Sequence, residues 1–461
     1  SCTTHELAGR KAVRFEPAFI DGDEELSSLM AAIRVCNDTK VLEIVFVQNI
    51  PLNGKKITVS TFMNIKCLVL LTRPYGVDEM RAQQAWGDYR LTEEDLHYLL
   101  QPSVNLKQLY IYRIHTPEFS AHWIDCIKLA EKCNRQLEDL EVVTQNAYSF
   151  MPPHSYPWIE NICALKQLRR LALLPGNDGV MDSYFCGMAE CTPHRHRSVD
   201  QILDVSSIPY LVGYLPNLRH LEVGIKGKLF RHDFSIQQQF YRLRSLRLVL
   251  SSKLQIEDGV KPFMVWTHFF TTFQNVIALD IQADKYPNIA WVHITAAINA
   301  ILHELELLDL SSNNIGADQL YFFVPRLRKL KCFITPHKDF GSPHVEAISN
   351  PNKNFVSHLE SFIGAIQNDG TTLLASKLPH LKYITTEQNK IVKLHRSADD
   401  KDLSLEPVQP RSSDWHEAMG TKYFQLDSSQ EMLYTVQQHC IHINKHIQQQ
   451  KKDKTSGENN D

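Results

Sequence analysis

Apolar residues recur along this chain in one short template, apolar-x-x-apolar-x-apolar, separated by stretches with helical spacing. The clearest copy is Leu305-Glu-Leu-Leu308-Asp-Leu310-Ser-Ser-Asn313-Asn-Ile315-Gly316. Weaker copies begin at Val41, Ile65, Leu106, Leu137, Leu168, Leu218, Leu243, Val276, Leu327 and Leu378, among them LKQLYI, LEDLEV, LRRLAL, LRHLEV and LRSLRL. Alternation with period two places the apolar residues on one face of a short strand and the variable residues on the other. Between copies the spacing turns helical: Leu26, Leu29, Met30 and Ile33; Trp123, Ile127 and Ala130; Trp291, Ile294, Ala297, Ile298 and Ile301. A capping-box pattern at Thr92-Glu-Glu-Asp95 marks a further helix start.

Strands alternating with helices at a repeating interval predict an α/β solenoid, in which each unit buries its apolar face against its neighbours. The LDLSSNNIG string resembles the leucine-rich-repeat consensus, and its core is similar to the ribonuclease-inhibitor-like subclass. That resemblance implies a leucine-rich-repeat horseshoe solenoid with parallel strands on the concave face and helices on the convex face. It is expected over residues 1–392, with an insertion near 176–206. Residues 393–428 are polar, Pro-containing and aperiodic, which predicts a linker. Over 429–448, Leu433, Val436, Cys440, Ile443 and Ile447 form one apolar stripe of an amphipathic helix, and 449–461 is expected to be a disordered tail.

The chain has 461 residues, 43% of them hydrophobic and 22% charged, the usage of an ordered globular protein. The net charge of -3 provides no overall field for nucleic acid or an anionic membrane. A strong local patch of Lys and Arg would be the observation that favours nucleic acid. No run reaches the apolar length of a membrane span, and the first residues hold no apolar signal core, so the chain reads as soluble. Cysteines such as Cys67, Cys126, Cys163 and Cys332 sit in apolar runs; as reduced core thiols they fit a cytoplasmic or nuclear location.

Cys186, Cys191, His194 and His196 lie within one insertion, but their spacing is not that of a standard zinc site, and a surface loop is expected. His439, His442 and His446 share one helical face and read as a solvated polar stripe. Phosphate-binding Gly-rich loops, HExxH and G-x-S-x-G are absent from the sequence, so no enzyme, cofactor or metal is expected. The informative set is the variable residue between the last two apolar positions of each copy: Tyr110, Glu141, Ala172, Glu222, Arg247, Asp280, Asp309, Lys331 and Lys382. These are expected to line the concave face and to bind a protein partner, with acids in the middle and lysines at the end. Reversing Glu222, Asp280 and Asp309 to Lys is then expected to weaken partner capture and to spare the fold.

The irregular repeats resemble the substrate-binding halves of F-box ubiquitin-ligase adaptors, which implies ubiquitin-ligase components as partners, although residues 1 to 40 carry no recognisable F-box. The LDLSSNNIG copy also resembles repeats of the GTPase-activating protein of the Ran system, which implies a regulator of a small GTPase, or another scaffold, as the alternative.

Overall fold

The computed structural model describes residues 12–15, 41–46, 65–72, 105–114, 136–144, 162–175, 203–230, 240–283, 288–310, 315, 327–335, 358–364, 366, 368–386, 390–396, 403–409, 412–424 and 426. The chain divides into two compact units, one of Ser1–Ser149, Gly176–Thr192 and Leu426–Asp461, the other of Phe150–Pro175 and Pro193–Gln425. The expected helices around Leu26, Thr92 and Trp123, the Cys186 to His196 cluster, the 429–448 helix with its three histidines and the tail lie outside the described residues.

In the first unit, β1 (Ala12–Phe15), β2 (Val41–Phe46), β3 (Cys67–Thr72), β4 (Gln108–Ile114) and β5 (Asp139–Thr144) lie side by side in chain order, all parallel. The second unit repeats the plan. There β6 (Arg170–Pro175), β8 (His220–Leu229), β9 (Ser245–Ile256), β10 (Ala278–Ala283), β11 (Leu307–Asp309), β12 (Cys332–Ile334), β13 (Ser361–Ile363) and β14 (Tyr383–Thr385) form one parallel series, and β7 (Leu203–Asp204) adds to β8.

The repeating element proves longer than the template. In the second unit apolar anchors stand three residues apart ahead of each strand, as in Leu215, Leu218 and Leu221 or Phe273, Val276 and Leu279, all buried. The amide of the second anchor donates to the carbonyl of the first: Leu168 to Leu165, Leu218 to Leu215, Leu243 to Phe240, Val276 to Phe273, Leu330 to Leu327 and Leu381 to Leu378, at 2.9 to 3.2 Å. One carbonyl just before each strand then accepts two amides of the next repeat, so that Arg169 O takes Arg219 N at 2.7 Å and His220 N at 3.0 Å. This fixes the register of every strand on its predecessor.

That register corrects three copies. Leu308 pairs with Phe333, and Phe362 with Ile384, so the copies placed at Leu327 and Leu378 start instead at Leu330 and Leu381. A third, placed at Val41, is also out of frame, because Leu42 rather than Ile44 pairs with Leu68. At Leu327 and Leu378 the preceding anchor has the same three-residue spacing, which is why the frame slipped there. A further copy, Leu359-Glu-Ser-Phe362-Ile-Gly364, has glycine at its third apolar position. A Cβ on Gly364 would collide with Cγ2 of the buried Thr335, just past the neighbouring strand, so that side chain already fills the space a larger residue would need.

Helices α1 (Ser207–Tyr214), α2 (Pro262–Thr272), α3 (Asn288–Ile301) and α4 (Asn368–Lys377) connect successive strands and back one side of the sheet. Leu279, Ile281, Leu308, Leu310, Phe333 and Phe362 are buried beneath them. Trp266, Phe269, Phe270 and Phe273 make an aromatic cluster with centroids 5.1 to 5.9 Å apart. Trp291, Ile294, Ala297 and Ile298 are buried, as their helical spacing predicted. The linker expected over 393–428 instead carries structure. Antiparallel strands β15 (Ile391–Arg396) and β16 (Leu403–Pro407) close the sheet, then α5 (Ser413–Ala418) and a 3-10 turn (Thr421–Phe424) follow. Polar composition misled there because β16 is an exposed edge strand ending at a proline, where no ladder bond is lost.

Candidate functional site: the open strand face and its strap

Two rows of side chains in the second unit point away from the helices. One runs Arg170, His220, Ser245, Ala278, Leu307, Cys332, Ser361 and Tyr383; the next, two residues on, runs Ala172, Glu222, Arg247, Asp280, Asp309, Ile334, Ile363 and Thr385. Its charges are concentrated over β6 to β10, and from Leu307 onward it is mainly apolar, with Asp309, Ser361 and Thr385 as the polar exceptions.

The ionic part is a closed network. Arg170 donates to Glu222 Oε1 through Nη2 at 2.7 Å and Nε at 3.1 Å. Arg247 Nη1 reaches Glu222 Oε2 at 2.5 Å, and its Nε reaches Asp280 Oδ2 at 2.5 Å. Gln282 Nε2 also donates to Asp280 Oδ2, at 3.1 Å. The side chains of Glu222 and Asp280 are 1% and 2% exposed, so water does not solvate these charges and their partners must. Burial alone would raise the Glu222 carboxyl, but the two guanidiniums hold it down to about 2.

Residues 412–424 lie over this face as a strap. Ser412 caps α5 by accepting from Trp415 N at 3.1 Å. Asp414 accepts from Lys393 Nζ at 2.9 Å, and Tyr383 Oη donates to both Asp414 and Glu417 at 3.0 Å. The bond from Lys393 holds the Asp414 carboxyl below its usual range. Ser361 Oγ at 2.5 Å and Cys332 Sγ at 3.4 Å donate to the Ala418 carbonyl, and Arg170 Nε donates to the Phe424 carbonyl at 2.9 Å. Burial pushes the Cys332 thiol up to about 12, so it stays a neutral donor. The Arg247 guanidinium lies 4.3 Å from the centre of the Phe424 ring. Tyr423 Oη donates to Glu306 at 3.0 Å. Gly420 has φ of +60°, and a Cβ there would collide with Leu307. Ala418 and Phe424 complete one apolar cluster with Ala278, Leu307, Cys332, Ile334, Ile363 and Tyr383.

The residues expected to greet a partner are therefore placed differently from one another. Glu222 and Asp280 are buried and Arg247 is nearly so, tied into the network and roofed by Phe424. Reversing those acids to Lys would strand buried guanidiniums beside new cations, so the fold would not be spared. Asp309 lies half-buried on the same face. In the first unit Tyr110 is buried and donates to Asp139 Oδ2 at 2.6 Å, and Glu141 is half-buried. Lys331 and Lys382 belong to neither row; with the corrected frame they precede their strands and pair with Glu306 at 2.9 Å and Glu360 at 2.8 Å.

Sequence reasoning missed Arg170 and the strap. It used only one variable position per copy, although the residue before the second apolar one shares its face. Leu307, Cys332 and Tyr383 on a supposedly solvated face were the signal that something covers it. Among the described residues no group of three or more His, Cys, Asp or Glu side chains is placed to hold a metal ion, and no helix is long and apolar enough to cross a membrane.

No family model and no curated protein matches the chain. Among solved structures, the leucine-rich-repeat-containing protein LegL7 from Legionella pneumophila is similar at 10% identity and a TM-score of 0.36, over 89% of this chain and 98% of that one. TLR13, solved in a complex with ssRNA13, is similar at 14% identity and a TM-score of 0.33, over 82% of this chain and 47% of that one. The fold assignment rests on the chain's own geometry, on parallel strands in chain order in both units and, in the second, helical backs and anchors that return at fixed positions: the fold is that of an α/β leucine-rich-repeat solenoid.

Proposed function

We propose that the chain is a non-enzymatic protein-recognition module that takes a peptide segment on the open strand face of its second unit. One observation carries the reading: the face already holds such a segment, residues 412–424, by donating side-chain hydrogen bonds to its backbone carbonyls and cations to its carboxylates. Groups that recognise main chain and charge together suit peptide binding of a general kind. The substrate-receptor part of an F-box-type ubiquitin-ligase adaptor is the finer form of this proposal, supported by the resemblance of the irregular repeats.

The test is site-specific cross-linking in the full-length chain. A photoreactive residue at Asp309 should trap a protein partner, whereas one at Tyr210 on α1 should not. Trapping only from Tyr210 would show that the working surface is the helical side. A cullin with its adaptor among the trapped proteins would select the ligase form, and a small GTPase the regulatory one.

A further inference from the structure

Each strand is preceded by one residue whose carbonyl takes two amides of the next repeat. Along the second unit this entry row reads Arg169, Arg219, Arg244, Ile277, Glu306, Lys331 and Glu360, and Lys382 stands in the same place before the last parallel strand, although its carbonyl takes one amide, that of Leu394. Side chains in the row meet laterally. Lys331 reaches Glu306, and Lys382 reaches Glu360, each across one repeat. The later half of the row is thus neutralised by alternation, while its first three positions are all arginine, on strands about 4.8 Å apart. Arg219 and Arg244 are exposed.

Neighbouring positions add to the charge. In the same turns stand Lys166, Gln167, Pro216, Asn217, Tyr241 and Arg242, without a single Asp or Glu. They form one continuous surface, because Asn217 Nδ2 donates to Lys166 O at 3.0 Å and Arg242 Nη1 donates to Pro216 O at 2.8 Å. Aromatic rings are interleaved with the cations. Tyr214 and Tyr241 are 49% and 60% exposed, and Lys166 Nζ sits 5.3 Å from the Tyr214 ring centre. A row of like charges opposes folding, and large exposed rings lose nothing by being covered. A polyanion carrying flat bases satisfies both at once.

We propose that this edge binds single-stranded nucleic acid, with the exposed Arg219, Arg242, Arg244 and Lys166 on phosphates and Tyr214 and Tyr241 against bases. The chain's overall net charge of -3 conceals the site, because a local field is what a strand near the surface meets. This surface is separate from the peptide-binding face, so the two functions stand or fall independently.

The experiment uses the full-length chain and a fluorescein-labelled twelve-nucleotide single strand of mixed sequence, followed by anisotropy. Binding should weaken on the order of 50-fold between 50 and 200 mM salt, the loss expected for about four phosphate contacts on a single strand. Arg219→Glu with Arg244→Glu should weaken it at least tenfold, and Tyr241→Ala several-fold, while Tyr241→Phe restores it. All these positions are exposed, so melting temperatures should stay unchanged. No binding by the wild type at low salt overturns the proposal. Equal affinity for the matching duplex overturns the role of the rings, and capture of phosphatidylserine-rich vesicles without the oligonucleotide reassigns the edge to a membrane. Partner cross-linking at Asp309 is unaffected by any of these results.

Discussion

The two halves of the second unit's open face are built on opposite principles. From β6 to β10 charges satisfy one another in the chain Arg170, Glu222, Arg247 and Asp280, and the strap contributes little beyond the Phe424 ring and carbonyl. From β11 to β14 the face is mostly Leu307, Cys332, Ile334, Ile363 and Tyr383, with Asp309, Ser361 and Thr385 beside them, and without a cover the apolar five would form a patch in water. An ionic surface can be buried only when its partners are already in place, whereas an apolar one needs merely to be covered. The first half is therefore unforgiving of substitution, and the second can exchange one cover for another.

The largest effect should come from breaking the ionic half. Glu222→Ala removes the carboxylate shared by two guanidiniums and should cost about 3–5 kcal/mol in urea unfolding. A loss under about 1 kcal/mol would mean that water enters the network and that the contrast is false. Ile363→Ala, on the apolar half, should cost about 2–3 kcal/mol, because the strap can settle into part of the space. Acid sharpens the difference further. The Glu222 carboxyl is lowered from 4.5 to about 2 in the fold, so its stabilisation is fully present above pH 4.5 and is lost as pH falls towards about 2. Stability of the Glu222→Gln variant should change less across that window, and identical acid profiles would argue against the two arginine contacts. Smallest of all, Lys331→Ala and Lys382→Ala should each change stability by less than about 1 kcal/mol, because their ion pairs are 27% to 51% exposed.

Much of this architecture was legible in the chain. Leu308, Leu310, Trp291 and Ile298 were assigned to the core by spacing alone, and each is buried. Parallel strands backed by helices followed from the change of period. What misled was degeneracy: Leu327 and Leu330, like Leu378 and Leu381, offer two frames with equal spacing, and only the hydrogen-bonded register decides between them. The copy at Leu359 was hidden by Gly364, where packing against Thr335 outweighs hydrophobicity. The candidate face was legible in position but not in state. A polar residue at a strand's outward position reads the same whether water, a partner or the chain's own distant segment lies over it. Nothing local in Ser413-Asp-Trp-His-Glu-Ala418 says that it will dock on strands well before it in sequence.

The bond from Arg170 to the Phe424 carbonyl joins residues 254 apart. Repeat arrays otherwise contain near-neighbour contacts alone, so they can fold and fray one repeat at a time. Forming that bond in the unfolded chain would cost about 5 kcal/mol of loop-closure entropy, but once the repeats are assembled only a short tether remains to be ordered. The strap therefore docks last, on a finished surface. Once docked it ties the first strand of this unit to its final turn, so that fraying at one end is resisted by contacts made at the other, and an array that would melt by degrees gains the cooperativity of a globular domain.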